Sequence, residues 1–223
     1  MFLGHFTLAM AAKKLAPKAS LGTLVLSAQF ADCLWPVLLL LGFEQVRIVP
    51  GITRVTPLDF VSYPISHSLL MQLVWGLLLG GVYFFLRHDS RTATIIGALL
   101  PTHWLLDYFA HRPDLTLYPG GPRVGLGMRN SLPLTLIVEF GLFIAGLILY
   151  LSATRSQGGW NYGFWSLVLF LAAIYAASLF GAPPPNVRTI ALSALALWLA
   201  VPWAAWGGRQ RQAMAANLRV RDR

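Results

Sequence analysis

Apolar residues occur along this chain in long runs, and polar residues gather between the runs. A run of about 20 apolar residues is long enough to cross the hydrocarbon core of a bilayer as an α-helix. The pattern therefore predicts an all-α fold, a polytopic transmembrane helical bundle with about six spans. The predicted spans cover residues 20–42, 66–86, 92–111, 132–153, 163–181 and 187–206.

The two ends of the chain differ from these spans. The first 12 residues are apolar but too short to cross a bilayer, so we predict a half-inserted or interfacial helix that ends at Lys13 and Lys14. Residues 207–223 form a basic, polar tail. Residues 1–206 leave room for one transmembrane domain and for no separate soluble domain.

The composition limits the class of protein and its partners. The chain is 57% hydrophobic and 11% charged, whereas soluble domains carry about 25% charged residues. The net charge of +9 does not indicate nucleic-acid binding, because the basic residues lie in short loops and at the termini, where they meet anionic lipid headgroups. The expected partners are membrane lipids and a lipid-like substrate. The single cysteine, Cys33, excludes an intrachain disulfide and a cysteine-rich metal site.

Basic residues are divided unequally between the two sides of the predicted bundle. One side carries 11 Lys and Arg residues, in segments 13–18 and 87–91, at Arg155 and in the tail, and the other side carries 6. The positive-inside rule predicts that the first side is cytoplasmic. The N-terminal basic segment and the C-terminal tail are then cytoplasmic, and loops 43–65 and 112–131 face outward.

The most informative polar residues lie at the end of the third predicted span. His103, Asp107 and His111 recur every four residues, so they line one face of a helix. His103 lies about 12 Å deeper than His111 at a rise of ~1.5 Å per residue. Ionisable groups are costly in hydrocarbon, which favours a metal-binding or catalytic role over an ordinary polar helix end.

Other polar residues are predicted at a similar depth in the outer half of the bilayer. Asp32, His67 and Glu139 reach this layer from the first, second and fourth spans, and His5 reaches it if the N-terminal helix enters antiparallel to the first span. Structural roles are the alternatives: an interhelical hydrogen bond for Asp32, a helix cap for His67 and a mobile chain start for His5. The shared depth favours a single site. Its candidate metal ligands are His5, Asp32, His67, His103, Asp107 and His111, and its candidate catalytic residues are Asp107 and Glu139.

The ligand types predict the cofactor. Imidazole and carboxylate ligands without a thiolate are typical of Zn²⁺, Mn²⁺ or Fe²⁺, here one or two ions. Open coordination positions favour a catalytic site with metal-activated water, and a carboxylate between histidines, such as Asp107, is placed to bridge two ions. The outer loops contain Pro-Gly-Gly-Pro at 119–122, a sequence able to fold back over the bundle. They also carry arginines that could hold an anionic headgroup, although ordinary juxtamembrane charge explains any one of them equally well: Arg47, Arg54, Arg112, Arg123 and Arg129.

In order and spacing, several short motifs resemble a known family. Gly4-His5, Asp32 before Trp35-Pro36, the Ser-His-Ser-Leu-Leu sequence at 66–70, and His103 with Asp107 are similar to motifs of the membrane-bound metal-dependent hydrolases of bacterial inner membranes, over roughly residues 1–150. The order of ligands also resembles that of zinc-dependent phospholipase C and the related single-strand nucleases, which are helical, multi-zinc phosphodiesterases. The resemblance implies a bacterial inner-membrane location and a metal set of His5, Asp32, His67, His103 and Asp107, with His111 a further candidate. The chain lacks the later His-x-x-x-Glu pair of the soluble enzymes, a place that Glu139 could take.

The sequence therefore predicts a membrane-embedded, metal-dependent hydrolase of a lipid-borne phosphodiester or phosphate. The alternatives are a ceramidase-like lipid amide hydrolase, a metal-ion or proton transporter, and a non-catalytic membrane regulatory protein. A transporter needs polar residues through both halves of the membrane, and the inner halves of the predicted spans are nearly bare, which favours the enzyme. The oligomeric state is left open.

Overall fold

A computed structural model of the chain describes residues 1–158 and 160–214. Most of these residues are helical, as predicted, and a single turn of 3-10 helix covers Met128–Asn130. The α-helices are α1 (Leu3–Leu15), α2 (Leu21–Ala28), α3 (Phe30–Leu40), α4 (Pro64–His67), α5 (Leu69–Arg87), α6 (Ser90–Ala110), α7 (Leu132–Ala153), α8 (Tyr162–Phe180), α9 (Val187–Leu195) and α10 (Leu197–Arg209).

The loops contain three antiparallel two-stranded ribbons, which the all-helical prediction missed. They pair β1 (Gln45–Ile48) with β2 (Leu58–Ser62), β3 (Leu115–Thr116) with β4 (Arg123–Val124), and β5 (Thr154–Ser156) with β6 (Arg211–Ala213). Strands of two to five residues are too short to show a clear alternation in sequence. Strand β6 begins just beyond α10. The predicted tail from residue 207 therefore starts within α10 and continues into β6. Its residues 215–223 lie outside the described part of the chain.

Within the described residues, four helical segments are long and apolar enough to cross a membrane, which is compatible with a membrane protein. They are α5, α7, α8 and the combined Val187–Arg209 segment of α9 and α10, and they match four predicted spans to within a few residues. Helix α6, the third predicted span, is 21 residues long but less apolar. Its histidine, aspartate and N-terminal polar residues lower its mean hydropathy.

The first predicted span is not a single straight helix. Helices α2 and α3 meet at Gln29 with a bend of 55°, and together they form a fifth candidate span. A bend interrupts the regular pairing of backbone groups, so carbonyl groups beside it become available to other donors. One of them, the Ala28 carbonyl, accepts a hydrogen bond from a histidine of α6.

Helix α1 lies inside the bundle, packed against α2, α6 and α7. Leu3, Phe6 and Ala9 are fully buried, and Gly146 of α7 approaches α1 so closely that an added Cβ would lie 2.9 Å from the Thr7 Cα. A helix that is apolar or small on every side packs within a protein core. Other helices therefore cover nearly all of the surface of α1, and its half-inserted or interfacial position in a membrane stays a prediction.

Helices α5 and α6 are in backbone contact through glycines. A Cβ added to Gly76 would lie 2.4 Å from the carbonyl oxygen of Gly97. Small residues allow such close approach between apolar helices. This contact holds α6 against α5, and α1 and α2 pack on α6 as well.

Candidate metal centre

Three histidines and two aspartates from α1, α3, α4 and α6 converge inside the bundle. His5 lies between both carboxylates, with Nδ1 3.1 Å from Asp32 Oδ2 and Nε2 3.3 Å from Asp107 Oδ1. The Nε2 atom of His67 is 3.3 Å from Asp32 Oδ1, and that of His103 is 3.2 Å from Asp107 Oδ2. The imidazole rings of His5 and His103 stack with centroids 3.5 Å apart. Five of the six predicted ligands thus share one site.

Two overlapping sets of these side chains have the geometry to hold a metal ion. One set is His5, His103 and Asp107, and the other is Asp32, His67 and His103. Within each set, the potential ligand atoms lie within 4.8 Å of one another. Both sets contain only imidazole and carboxylate donors, the ligand types that zinc, manganese and iron accept.

The environment of His103 fits a metal ligand. Its Nδ1 atom is 2.7 Å from the Ala28 carbonyl oxygen, so Nδ1 carries the proton and donates it. Its Nε2 is buried 3.2 Å from Asp107 Oδ2 and makes no hydrogen bond of good geometry among the described residues. Metal-binding histidines typically donate their other N–H to a carbonyl or carboxylate in this way. The bend between α2 and α3 supplies that carbonyl.

His67 is oriented by two residues that the sequence analysis did not single out. The Ser66 hydroxyl donates to Glu44 Oε2 at 2.7 Å, and its oxygen lies 2.6 Å from His67 Nδ1. Glu44 also accepts the backbone N–H groups of Ile65 and Ser66, at 2.9 and 2.8 Å. The Ser66 hydroxyl thereby fixes the orientation of the His67 ring, whose Nε2 points toward Asp32. The sequence does not mark Glu44 as a functional residue, because a carboxylate just after a predicted span is typical of an ordinary loop.

Glu139 lies outside both sets and contacts the start of α1. It accepts the backbone N–H of Phe2 on Oε1 and that of Gly4 on Oε2, both at 2.9 Å. Free N–H groups at a helix N-terminus are stabilised by a carboxylate. The Met1 amino group donates to Asp107 Oδ1 nearby. Glu139 thus holds the helix that carries His5, and its predicted catalytic role stays a prediction.

His111, the sixth predicted ligand, also lies outside both sets. Its Nδ1 is 3.0 Å from Asp114 Oδ1, and its Nε2 is 2.9 Å from Arg129 Nη1. Tyr63 donates to the same oxygen of Asp114 at 2.8 Å. These contacts fit a neutral His111 that donates to Asp114 and accepts from Arg129. His111 therefore connects the buried carboxylate of Asp114 to the guanidinium of Arg129. Its Nε2 lies 3.7 Å from Asp107 Oδ1.

Burial shapes the acidity of the two groups that support His111. Burial and the neighbouring Asp114 carboxylate raise the pKa of Tyr63 well above its usual value. Burial alone would also raise the pKa of Asp114, but hydrogen bonds from His111 and Tyr63 and the charge of Arg129 bring that pKa below its usual value. Asp114 is therefore an anion and Tyr63 a neutral donor near neutral pH, as the hydrogen bonds require.

The outer-loop arginines have different surroundings. Arg112 and Arg47 both bind the Asp59 carboxylate, at 2.9 and 2.8 Å. Arg123 is exposed and donates to the Val61 carbonyl at 2.8 Å. Arg129 alone among these four contacts the polar cluster, and it makes no ion pair with a carboxylate in the described segments. Its guanidinium is therefore available to an anion that enters beside the cluster.

The glycine-rich loop brings Arg129 to this place by folding back over α6, as its sequence predicts. Leu126 N donates to the Tyr108 carbonyl at 2.8 Å, and Gly127 N to the His111 carbonyl at 2.6 Å. Gly125 and Gly127 have φ values of 151° and 71°, and a Cβ on Gly125 would lie 2.1 Å from the Arg112 carbonyl oxygen. Only glycine fits that position. The 3-10 turn that follows places Arg129 beside His111.

A cavity of about 370 Å³ opens onto the cluster. Asp32, Asp107 and Arg129 line its polar end, and apolar residues of α8, α9 and α10 line the rest. The Asp32 side chain is 29% exposed, whereas that of Asp107 is 2% exposed. The accessible side of the cluster is therefore the side of Asp32 and Arg129.

No family model, curated protein or solved structure matches this chain. The resemblance to the membrane-bound metal-dependent hydrolases therefore rests on the short sequence motifs. The features that bear on function are the buried histidine and aspartate cluster, Arg129 and the cavity that joins them.

Proposed function

We propose that this chain is a membrane-embedded hydrolase that uses one or two divalent metal ions, zinc first among them, to cleave a phosphodiester or phosphate ester of a lipid. The observation that carries the proposal is the convergence of His5, His67, His103, Asp32 and Asp107 inside the bundle. In His67 and His103 an oxygen outside the cluster contacts Nδ1, which leaves Nε2 directed at the two carboxylates. Grouping so many ionisable side chains in an apolar bundle is costly, and function is the usual reason for it.

The ligand geometry bears on the number of ions. Both sets of three donors include His103, whose Nδ1 is occupied by the Ala28 carbonyl. Its single free nitrogen can serve one ion at a time, so two ions would need a further donor in place of His103 in one set. Asp107 could supply that donor to the set of Asp32 and His67, because its Oδ2 lies 3.9 Å from His67 Nε2. A bound ion would supply Lewis acidity and activate water for hydrolysis.

The residues around the ligands suit an anionic substrate. The Arg129 guanidinium faces the cavity without a carboxylate partner in the described chain, and His111 holds its Nη1 in place. A guanidinium binds phosphate by forked, charge-assisted hydrogen bonds. Phe60 and Trp35 close the side of the cavity near the loops and restrict water around the cluster.

The membrane arrangement belongs to the same proposal. We take α6 as a sixth span, because its polar face is buried against α1 and α2 and its 21 residues reach about 31 Å at 1.5 Å per residue. The excess of basic residues then orients segment 13–18 to the cytoplasm of a bacterial cell and the metal centre toward the outer half of the inner membrane.

Metal analysis of the purified protein tests the first half of the proposal. We expect one or two equivalents of a transition metal, and loss of most of it in His103→Ala and in Asp107→Asn. The control is His88→Asn, because His88 is exposed, lies outside the cluster and has a φ of 52° that asparagine tolerates. Full metal occupancy in both cluster variants would refute the metal centre.

Hydrolysis tests the second half. Phospholipids and a ceramide are incubated with the protein with and without a chelator, and zinc is restored afterwards. Release of phosphate or of a phosphorylated headgroup that needs the metal would support the proposal, and cleavage of the ceramide alone would favour the lipid amide hydrolase. Metal binding without cleavage of either lipid, together with uptake of the ion into vesicles, would replace the enzyme with a transporter.

A further inference from the structure

The cavity at the metal centre changes character along its length. Near Asp32 and Arg129 it is polar, and farther away Phe170, Ile174 and Leu197 line it. Its volume of about 370 Å³ is at the lower end of the ~300–1,000 Å³ typical of small-molecule pockets. A polar end and a narrow apolar remainder match an amphiphile with a small headgroup and one chain.

The far end of the cavity opens on the side of the bundle. Phe170 and Ile174 of α8 are 38% and 43% exposed, and Ser193 and Ala196 at the junction of α9 and α10 are exposed as well. The residues around this opening are apolar or small. The opening therefore faces the apolar belt of the bundle, through which a chain can pass from a bilayer.

Helix packing explains why the opening exists. Helix α8 touches α10 at one end, where a Cβ on Gly163 would lie 3.0 Å from the Gly207 Cα. Helix α9 packs mainly against α3. The two neighbouring segments therefore diverge toward residues 181–186, where three consecutive prolines join them. The space between them is the apolar part of the cavity.

From this geometry we infer the substrate class: an anionic amphiphile with a single hydrocarbon chain, whose phosphate meets Arg129 and whose chain lies between α8 and the α9–α10 junction. The inference rests on the proposed function for the headgroup. The Arg129 guanidinium supports the anionic head, because it has no carboxylate partner within the described residues. The metal ions of the proposed function would offset the charges of Asp32 and Asp107, which line the same end of the cavity. The apolar lining supports the chain.

Two phosphonates test the inference by binding alone, since a C–P bond is not a substrate for ester hydrolysis. The purified protein is titrated with methylphosphonate and with octylphosphonate. Burial of a methylene strengthens binding about fourfold, so three methylenes in the cavity give roughly 60-fold tighter binding of octylphosphonate.

Tryptophan substitutions on one helix provide the variant and its control. Ala194 lines the cavity, whereas Leu192 is exposed and lies outside it. Ala194→Trp should weaken octylphosphonate binding roughly 15-fold, the loss of two buried methylenes, and leave methylphosphonate binding unchanged. Leu192→Trp should change neither. Ala194→Phe serves in its place if the tryptophan variant does not fold.

The outcomes separate the chain site from the proposed function. Equal affinity for the two phosphonates, or equal loss in Ala194→Trp and Leu192→Trp, overturns the chain site. N-octylacetamide binding as tightly as octylphosphonate, with the same dependence on Ala194, overturns the anionic headgroup. Octylphosphonate binding as expected, without hydrolysis of any phosphoester, refutes the proposed hydrolase and leaves the chain site standing.

Discussion

Replacement of Glu139 by glutamine separates a catalytic carboxylate from one that holds α1. Glu139 accepts two backbone hydrogen bonds on its two different oxygens, a part-buried one from Phe2 and a buried one from Gly4. Glutamine keeps one acceptor oxygen, but its NH₂ group cannot accept from the second N–H. A hydrogen bond to a charged group contributes about 1.5–3 kcal/mol. We expect Glu139→Gln to lose about that amount of stability.

The size of the effect can be read from thermal unfolding. A protein of this length changes its melting temperature by ~2–4 °C per kcal/mol, so Glu139→Gln should melt roughly 3–12 °C lower. Glu139→Ala removes both acceptors and should melt lower still. Thr135→Ala on the same helix removes a hydroxyl that contacts only carbonyls of its own segment, and it should have a smaller effect.

Metal content and turnover complete the test of Glu139. We expect Glu139→Gln to keep most of its metal, because Glu139 lies outside both ligand sets found among the described residues. An unchanged melting temperature with loss of metal would make Glu139 a ligand. An unchanged melting temperature with full metal and a 10²–10⁴-fold slower reaction would make it a general base. Either result refutes the helix-holding role.

Three further predictions concern the ligand supports, the packing and the topology. Ser66→Ala removes the hydroxyl that contacts His67 Nδ1, so it should weaken zinc affinity ~10–100-fold in a chelator competition. A change below about twofold would contradict the role of Ser66 in orienting His67. Gly76→Ala places a Cβ 2.4 Å from the Gly97 carbonyl oxygen of α6 and should destabilise the protein by ~1–3 kcal/mol. Gly81→Ala meets nothing within 4 Å and should be neutral. Equal melting temperatures of the two variants would refute the close contact between α5 and α6. In a Cys33→Ser background, cysteines placed in loop 112–131 should react with reagents added outside the cell; labelling only from the cytoplasmic side would reverse the orientation.

The sequence by itself predicts the helical segments well, because the signals are local. An apolar run of about 20 residues and a turn of 3.6 residues are properties of neighbouring positions. Segment 132–153 coincides with α7 for this reason. The same helical period places His103 and Asp107 on one face of α6, and their cost in an apolar segment already marks them as functional candidates.

Contacts between distant residues are decided only by the tertiary structure. Glu44 accepts a hydrogen bond from the hydroxyl of Ser66, which is 22 residues away in the sequence. Beside the bend at Gln29, the Ala28 carbonyl contacts His103, which is 75 residues away. No local pattern encodes either pairing. Local patterns therefore reveal the histidines but not the groups that orient their rings.

Glu139 and His111 show the limit of predicting a site from depth. Position along a helix determines how deep a residue lies but not which neighbour it faces, since helices at the same depth can be packed around one another in many ways. Glu139 faces the backbone of α1, and His111 faces Asp114 and Arg129. The sequence determined which residues share a layer of this bundle. Only the packing of α1 against α6 and α7 decided which of them meet.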